Sequence, residues 1–347
     1  MTVAPSDNGS HPIAVTMGEP AGIGGEIALL AWSRRTKQTP AFFLIDDANR
    51  LQALAEQIGL ECAVTPIGEP QAAEAVFGDA VPVLPLTVPV PSIPGTPDTA
   101  QAAAVIQSID RAADLVASGD AAAMVTNPIQ KSTLYEAGFS HPGHTEYLAD
   151  RAKMTSPPVM MLACDSLRVV PVSIHLSLSE AVASLTTEAI VHCGRSTAAA
   201  LSHDFGIEKP RIAVAGLNPH AGEDGHLGRE EIDIIAPAVA QLQSDGLSVT
   251  GPFPADTLFH AGARQHYDAV LCMYHDQALI PLKTIDFDGG VNMTLGLPYV
   301  RTSPDHGTAL DIAGTGQANP ASFMAALDLA QACAARRHTT NPDRRVA

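Results

Sequence analysis

Short apolar runs alternate along this chain with longer amphipathic stretches, and few architectures satisfy that alternation. "IAVTM", "AFFLID", "AAAMVTNPIQK", "PPVMMLAC", "RVVPVSI", "RIAVAGL", "LSVTGPF" and "DAVLCMY" have strand composition and mostly end in turn-forming or polar residues. Helical patterns lie between them at "EIALLAW", "DDANRLQALAEQIG", "DTAQAAAVIQSIDRAADLVASG", "SLSEAVASLTTEAIVHCGRSTAAALSHDFG", "GREEIDIIAPAVAQLQSDG" and "PASFMAALDLAQACAARR". In the third of these, Asp98 or Thr99 is placed to cap the start and Gly119 to stop the helix. The pattern predicts an α/β fold, a largely parallel or mixed sheet with helices on both faces, and 347 residues suffice for two lobes. "VPVLPLTVPVPSIPGTP" is too rich in proline for a central strand and reads as edge segments or a connecting ribbon. The opening "MTVAPSDNGSH" reads as a frayed terminus and the closing "HTTNPDRRVA" as a loose tail.

A hydrophobic share of 46% against 16% charged residues fits a packed globular protein rather than a disordered one. The formal net charge of -17 argues against nucleic acid or an anionic membrane as partner, since both repel a chain without a basic face. No run approaches the roughly 20 apolar residues of a membrane span, and the first basic residue is Arg34, so a cytoplasmic location is expected. The five cysteines form no CxxC pair and are odd in number, which points to neither a disulfide framework nor a thiolate zinc site. Cys272, inside "AVLCMY", reads as a buried thiol.

Three histidines follow three strand runs: His175 after "RVVPVSI", His220 just past "RIAVAGLNP", and His275 after "DAVLCMY". Ligands of open α/β sheets bind outside the carboxyl ends of the strands, so these imidazoles have the position to converge on a divalent cation with open coordination sites. The bland alternative is a chance trio, and spacing alone favours it: there are 13 histidines and no compact ligand spacing. Anion-binding residue types lie near the same runs: Lys131, His144 and Thr145, then Lys283, Asn292 and Arg301. For any one of them a surface salt bridge is the competing reading. "GEPAGIGGE" breaks a strand with glycines before a helix, but it fits neither G-x-G-x-x-G nor a Walker loop, so a tight structural turn is an equal reading.

"MGEPAGIGGE", "TNPIQK", "GHTEYL", "GLNPHAGEDGHLGREE", "GPFPADTLF", "YHDQALIPLK" and "GGVNMTLGLPYVRTSPDHGTALDIAGTG" together resemble the 4-hydroxythreonine-4-phosphate dehydrogenase family of vitamin B6 biosynthesis. The likeness runs in order from about residue 13 to 330. It implies the two-lobed α/β/α fold of isocitrate and isopropylmalate dehydrogenases, not a Rossmann domain, with an active-site cleft between the lobes. By the same analogy, 1–130 with 280–347 would form the cofactor-side lobe, and 131–279 the middle lobe with the metal ligands and dimer interface.

The resemblance further implies a homodimer whose two subunits share ligands to one divalent metal (Zn, Co, Mn or Mg) through His175, His220 and His275. Substrate contacts fall on His144, Thr145, Lys283, Asn292 and Arg301. "HGTALDIAG" is similar to the cofactor loop of isopropylmalate dehydrogenases, which places NAD, with NADP open, against Gly307, Thr308, Ala309 and Asp311. Glu19 stands where many relatives carry Asp. For the general base, Asp256 and His144 are the candidates, and Asp256 equally suits a helix cap.

The implied chemistry is oxidation of 4-phosphooxy-L-threonine at C3 to 2-amino-3-oxo-4-(phosphooxy)butanoate, a β-keto acid that loses carbon dioxide to give 3-amino-2-oxopropyl phosphate. The nearest rival is a dehydrogenase for 4-phospho-D-threonate or D-erythronate in sugar-acid catabolism. More distant rivals are a non-enzymatic phosphate-ligand binding protein and a metal-dependent phosphatase.

Overall fold

The computed structural model describes residues 11–340, with side chains through 337. Contacts divide the chain into two units: Met1–Ser140 with Tyr299–Arg301 and His306–Ala347, and His141–Pro298 with Thr302–Asp305. The frayed terminus expected for the first ten residues and the last residues of the expected tail lie outside the described range.

The first unit opens with β1 (Ile13–Thr16), α1 (Gly24–Ser33), β2 (Phe42–Asp46) and α2 (Ala48–Gln57), all at expected positions. β3 (Ala63–Pro66), α3 (Ala73–Phe77), β4 (Ala80–Pro85), α4 (Ala102–Ser118), β5 (Met124–Val125) and α5 (Lys131–Glu136) follow. Its strands run parallel in the order β3-β4-β2-β1-β5. β1 and β2 are buried along their whole length, because helices cover both faces of a parallel sheet. Asp47 caps α2 by accepting the Asn49 and Arg50 amide hydrogens. Asp98 caps the 3-10 turn that leads into α4, and α4 stops at Gly119 with φ +84°. A stripe of Val105, Ile109, Ala112 and Val116 turns α4 onto the sheet.

The start of the proline-rich run departs from the expected edge or ribbon placement, since β4 pairs with β3 on one side and β2 on the other, while residues 86–97 add no strand to the sheet and connect onward as a ribbon would. Pro82 is tolerated because the register with β2 begins one residue later, at Leu44↔Val83.

The second unit contains α6 (His144–Arg151), β6 (Val159–Cys164), β7 (Leu167–Pro171), α7 (Leu178–Ala183), α8 (Thr187–His203) and β8 (Arg211–Ala215). After these come α9 (Ala236–Ser244), β9 (Ser248–Phe253), α10 (Ala261–Arg264), β10 (Ala269–Cys272), α11 (His275–Ile285) and β11 (Val291–Leu295). β12 (Arg301–Pro304) pairs antiparallel with β11 through Thr302–Pro304. β11, β6 and β7 are successively antiparallel, whereas β7, β10, β8 and β9 run parallel, so the sheet is mixed as expected. The long helix expected from 177 to 206 is two helices, broken where Thr186 caps α8 through the Ala189 amide. The last described element, α12 (Ala321–Thr340), belongs to the first unit, takes up the start of the expected tail and packs Phe323 edge-on against Phe42 of that unit.

The seams fall after Ser140 and around 298–306, whereas the sequence places them near 130 and 280. β11 draws the later boundary outward, because all five of its residues pair with β6, about 130 positions earlier in the chain. Among the described residues no helix is long and apolar enough to cross a membrane.

Candidate active site

β7 and β10 are parallel neighbours, and their pairing continues beyond both strands: Val172 N–H donates to Cys272 O at 2.8 Å and Ser173 Oγ to Met273 O at 2.9 Å. That continuation carries His175 and His275 to the same carboxyl edge, with ring centroids 6.4 Å apart. His275 begins α11. Its Nδ1 lies 2.7 Å from Asp276 Oδ1, a contact in which the Nδ1–H donates to the carboxylate and the Nε2 lone pair stays free to accept or to coordinate. One exposed and one half-buried imidazole, the latter backed by a carboxylate, have the donor chemistry of a divalent-cation site.

His220 sits five residues beyond β8, in a segment of left-handed backbone: φ is 54° at His220, 53° at Ala221, 44° at Glu223 and 54° at Asp224. Such backbone costs roughly 1–2 kcal/mol per non-glycine residue, so surrounding contacts must hold it. Among the described residues no group of three His, Cys, Asp or Glu side chains is close enough to hold a metal. Of the three expected histidines, His175 and His275 are thus brought together, and His220 does not form a group of three with them among the described residues.

Two surface depressions flank the pair. One of ≈ 400 Å³ runs along α11 past His275, Asp276, Ile280 and Lys283. The other, ≈ 460 Å³, is bordered by His175, Ser173, Leu185 and Glu146 of α6. His144 and Thr145 occupy the first turn of that same helix, both partly buried. Lys283 is half-buried, and its ammonium lies 2.8 Å from Asp305 Oδ2, so the anchor proposed from sequence already carries a counter-ion. Asn292 on β11 has its Oδ1 buried without a hydrogen-bond partner among the described residues. Asp256 stands exposed inside the 3-10 turn Ala255–Thr257 and caps nothing, since Pro254 holds the cap position.

In the first unit, three segments meet beyond the carboxyl ends of β1 and β5. Thr126 and Asn127 follow β5, and Asn127 donates from Nδ2 to Thr16 O and Gly24 O at 3.0 and 3.2 Å. Gly18, at φ +71°, passes so close that a Cβ there would lie 2.7 Å from both Asn127 Cβ and Pro128 O. The glycine-rich block is thus a structural turn packed on "TNPIQK". Arg301, 3% exposed, donates from Nε and Nη2 to Thr126 Oγ1 at 3.0 and 2.6 Å.

The expected cofactor loop packs on the same turn. Ile23 N–H donates to Thr308 O at 3.0 Å and Thr308 Oγ1 to Gln130 Oε1 at 3.2 Å. Gly307 and Asp311 are exposed, and Ala309 takes φ +43°.

Several positions escaped the sequence reading. Glu26, fully buried in α1, accepts the Gly314 and Ala318 amide hydrogens at 2.8 and 3.1 Å and anchors the far end of the expected cofactor loop. In the second unit, Gln277 accepts from Met273 N–H and donates to Gly216 O, each at 2.7 Å. It ties the turn before His275 to the end of β8. Glu231 holds the backbone just ahead of His220. The available signal was a polar residue within an apolar helical run, "GGEIALL" or "EEIDII".

Glu19 is 4% exposed and accepts the Ala21 amide hydrogen, and burial pushes its carboxyl above the usual range. A raised folded-state value favours the protonated fold, so stability is fully present below the ordinary carboxyl value and is lost as pH rises through the folded one. Glu19→Gln mimics the protonated group. It is expected to melt above the parent at pH 8, with the difference vanishing near pH 4; a lower Tm for the variant at pH 8 would contradict this.

These geometries stand beside close relatives. Residues 38–330 match the family described as pyridoxal phosphate biosynthetic protein PdxA. The chain belongs to the PdxA family. A 4-hydroxythreonine-4-phosphate dehydrogenase of Bradyrhizobium diazoefficiens is 52% identical over 342 residues, covering 95% of this chain and 99% of that protein. The crystal structure of a 4-hydroxythreonine-4-phosphate dehydrogenase from Klebsiella pneumoniae superposes with a TM-score of 0.85 at 41% identity, covering 94% of this chain and all of that one. A terephthalate 1,2-cis-dihydrodiol dehydrogenase from Burkholderia xenovorans is similar at TM-score 0.63 and 28% identity, over 93% and 98% of the two chains. The mixed α/β sheet read from the alternation of elements is thus present, and the dehydrogenase-like fold implied by the family resemblance agrees with these structural neighbours.

Proposed function

We propose that this PdxA-family chain is a 4-hydroxythreonine-4-phosphate dehydrogenase. It oxidises 4-phosphooxy-L-threonine at C3 with NAD as hydride acceptor, and the resulting 2-amino-3-oxo-4-(phosphooxy)butanoate decarboxylates to 3-amino-2-oxopropyl phosphate. The observation that carries this reading is 52% identity, along nearly the full length of both chains, to a protein of that name. The paired His175 and His275 with Asp276 behind one of them support it from the side of chemistry.

In this reading His175, His220 and His275 hold a divalent cation, and the two subunits of a homodimer share these ligands. The chemistry these residues would gain from a bound cation is Lewis acidity, which would favour loss of a hydroxyl proton during oxidation. Asp276 fixes the tautomer of His275. Lys283, Asn292, His144 and Thr145 bind the phosphorylated amino acid, and Arg301 adds a planar donor fork for its anionic groups. The segment Gly307, Thr308, Ala309 and Asp311 receives the dinucleotide. Asp256, being solvent-exposed, serves as the base if substrate covers it, with His144 as the alternative.

Substrate identity is tested by comparing kcat/KM for 4-phosphooxy-L-threonine and 4-phospho-D-threonate with the same metal-loaded protein. A preference for the amino acid supports the biosynthetic role. A preference for the sugar acid moves the chain to the catabolic branch of the same fold.

A further inference from the structure

We propose that Glu231 is the positioning residue for His220, an inference that rests on reading His220 as a metal ligand. The ring of His220 is exposed and makes no hydrogen bond among the described residues, so its place is set by its backbone. That backbone is unfavourable on its own account, left-handed at His220 and Ala221 and again through Asp224.

A buried carboxylate gathers the approach to it, alongside Glu230, which accepts from Asn218 Nδ2 at 2.7 Å, and the bond from Ala221 N–H to Asn218 O at 3.1 Å. Glu231 is 3% exposed and opens a single π-helical turn, Glu231–Ile235, directly before α9. Its Oε1 accepts two consecutive amide hydrogens, from Leu217 and Asn218, each at 2.7 Å. Its Oε2 accepts from Asn218 Nδ2 at 2.9 Å. The loop also closes on the carboxylate from the far side of His220: a Cβ at Gly222 would lie 2.6 Å from Oε2, and one at Gly216 3.1 Å from Oε1. The segment from 216 to 222 is thus wrapped around this group, with His220 at its outer rim.

Three donors directed at one carboxylate are stronger than three at a neutral amide, and they fix the approach to the turn, while Gly222 brings its exit close against the same group. Gln277 attaches the base of the same segment to the turn before His275, through Gly216 O. A change at Glu231 therefore moves a metal-binding side chain without touching it.

The test is a Co²⁺ titration of metal-free protein read by visible d–d absorbance, at a temperature where circular dichroism shows every variant folded. Outer-shell groups typically contribute about 10–100-fold to metal affinity, so Glu231→Gln is expected to weaken Co²⁺ binding by that factor. Gly222→Ala, which crowds the same carboxylate, is expected to do likewise if Glu231→Gln folds poorly. His220→Ala sets the scale of ligand loss, and Leu201→Ala, a core change in α8, controls for general destabilisation. Co²⁺ affinities of Glu231→Gln and Gly222→Ala within twofold of the parent would overturn the inference while leaving the ligand reading intact. Equal weakening by Leu201→Ala would overturn it too. Parent-like binding by His220→Ala, or no Co²⁺ spectrum from the parent, would remove the ligand reading and this inference with it.

Discussion

His220→Ala is expected to lower metal-dependent turnover by about 10³-fold, because a Lewis acid contributes several kcal/mol and each 1.36 kcal/mol is a factor of ten in rate. The fold should survive. His220 is exposed, its side chain fills no core, and replacing a left-handed His by Ala leaves the same backbone requirement. Far-UV circular dichroism and Tm close to the parent, with metal content and NADH formation both reduced, are the expected results. A variant that keeps both its metal and its rate would remove His220 from the site.

Arg301→Ala is expected to have a double effect. Its guanidinium is buried against Thr126, and hydrogen bonds made by a charged donor are worth about 1.5–3 kcal/mol, so denaturant unfolding should show a loss of at least that order. If Arg301 also binds substrate, KM for 4-phosphooxy-L-threonine rises more than kcat falls, since the contact is made before and during reaction. Arg301→Lys separates the roles: it keeps a charge but loses the fork, so binding should recover only in part. An unchanged KM in both variants would confine Arg301 to holding "TNPIQK" in place.

The apolar strand runs were legible in the sequence because a strand covered on both faces must be continuously hydrophobic, as in "FFLID" and "AVLC". β11 and β12 were not, since "VNMTL" and "RTSP" bury Thr294, Thr302, Ser303 and Arg301, residue types that locally read as loop. Their pairing with β6 and with each other is decided by tertiary contact, which also displaced the expected seam near 280. The proline-rich run misled for the opposite reason: Pro82 looks disqualifying until the register shows which ladder positions it leaves untouched.

The three histidines were visible as residues at strand ends, and the continued pairing beyond β7 and β10 accounts for two of them sharing an edge. Asp276 beside His275 was visible too, whereas the longer-range bonds around these segments were hidden. Gln277 bonds to Gly216, 61 positions away, and Glu231 to a turn 13 and 14 positions earlier, so neither relation follows a helical or strand period. Lys283 shows the converse. Its charge was legible, but its pairing with Asp305 across 22 positions was not, and any substrate phosphate would compete with that carboxylate.

The most direct measurement is NADH formation from 4-phosphooxy-L-threonine by protein stripped with EDTA, before and after a divalent cation is returned. Silence in the stripped protein and turnover restored by Zn²⁺, Co²⁺, Mn²⁺ or Mg²⁺ is the predicted result. Equal rates with and without metal, or no NADH from either phosphorylated substrate with any of the four, would contradict the assignment of a metal-dependent dehydrogenase.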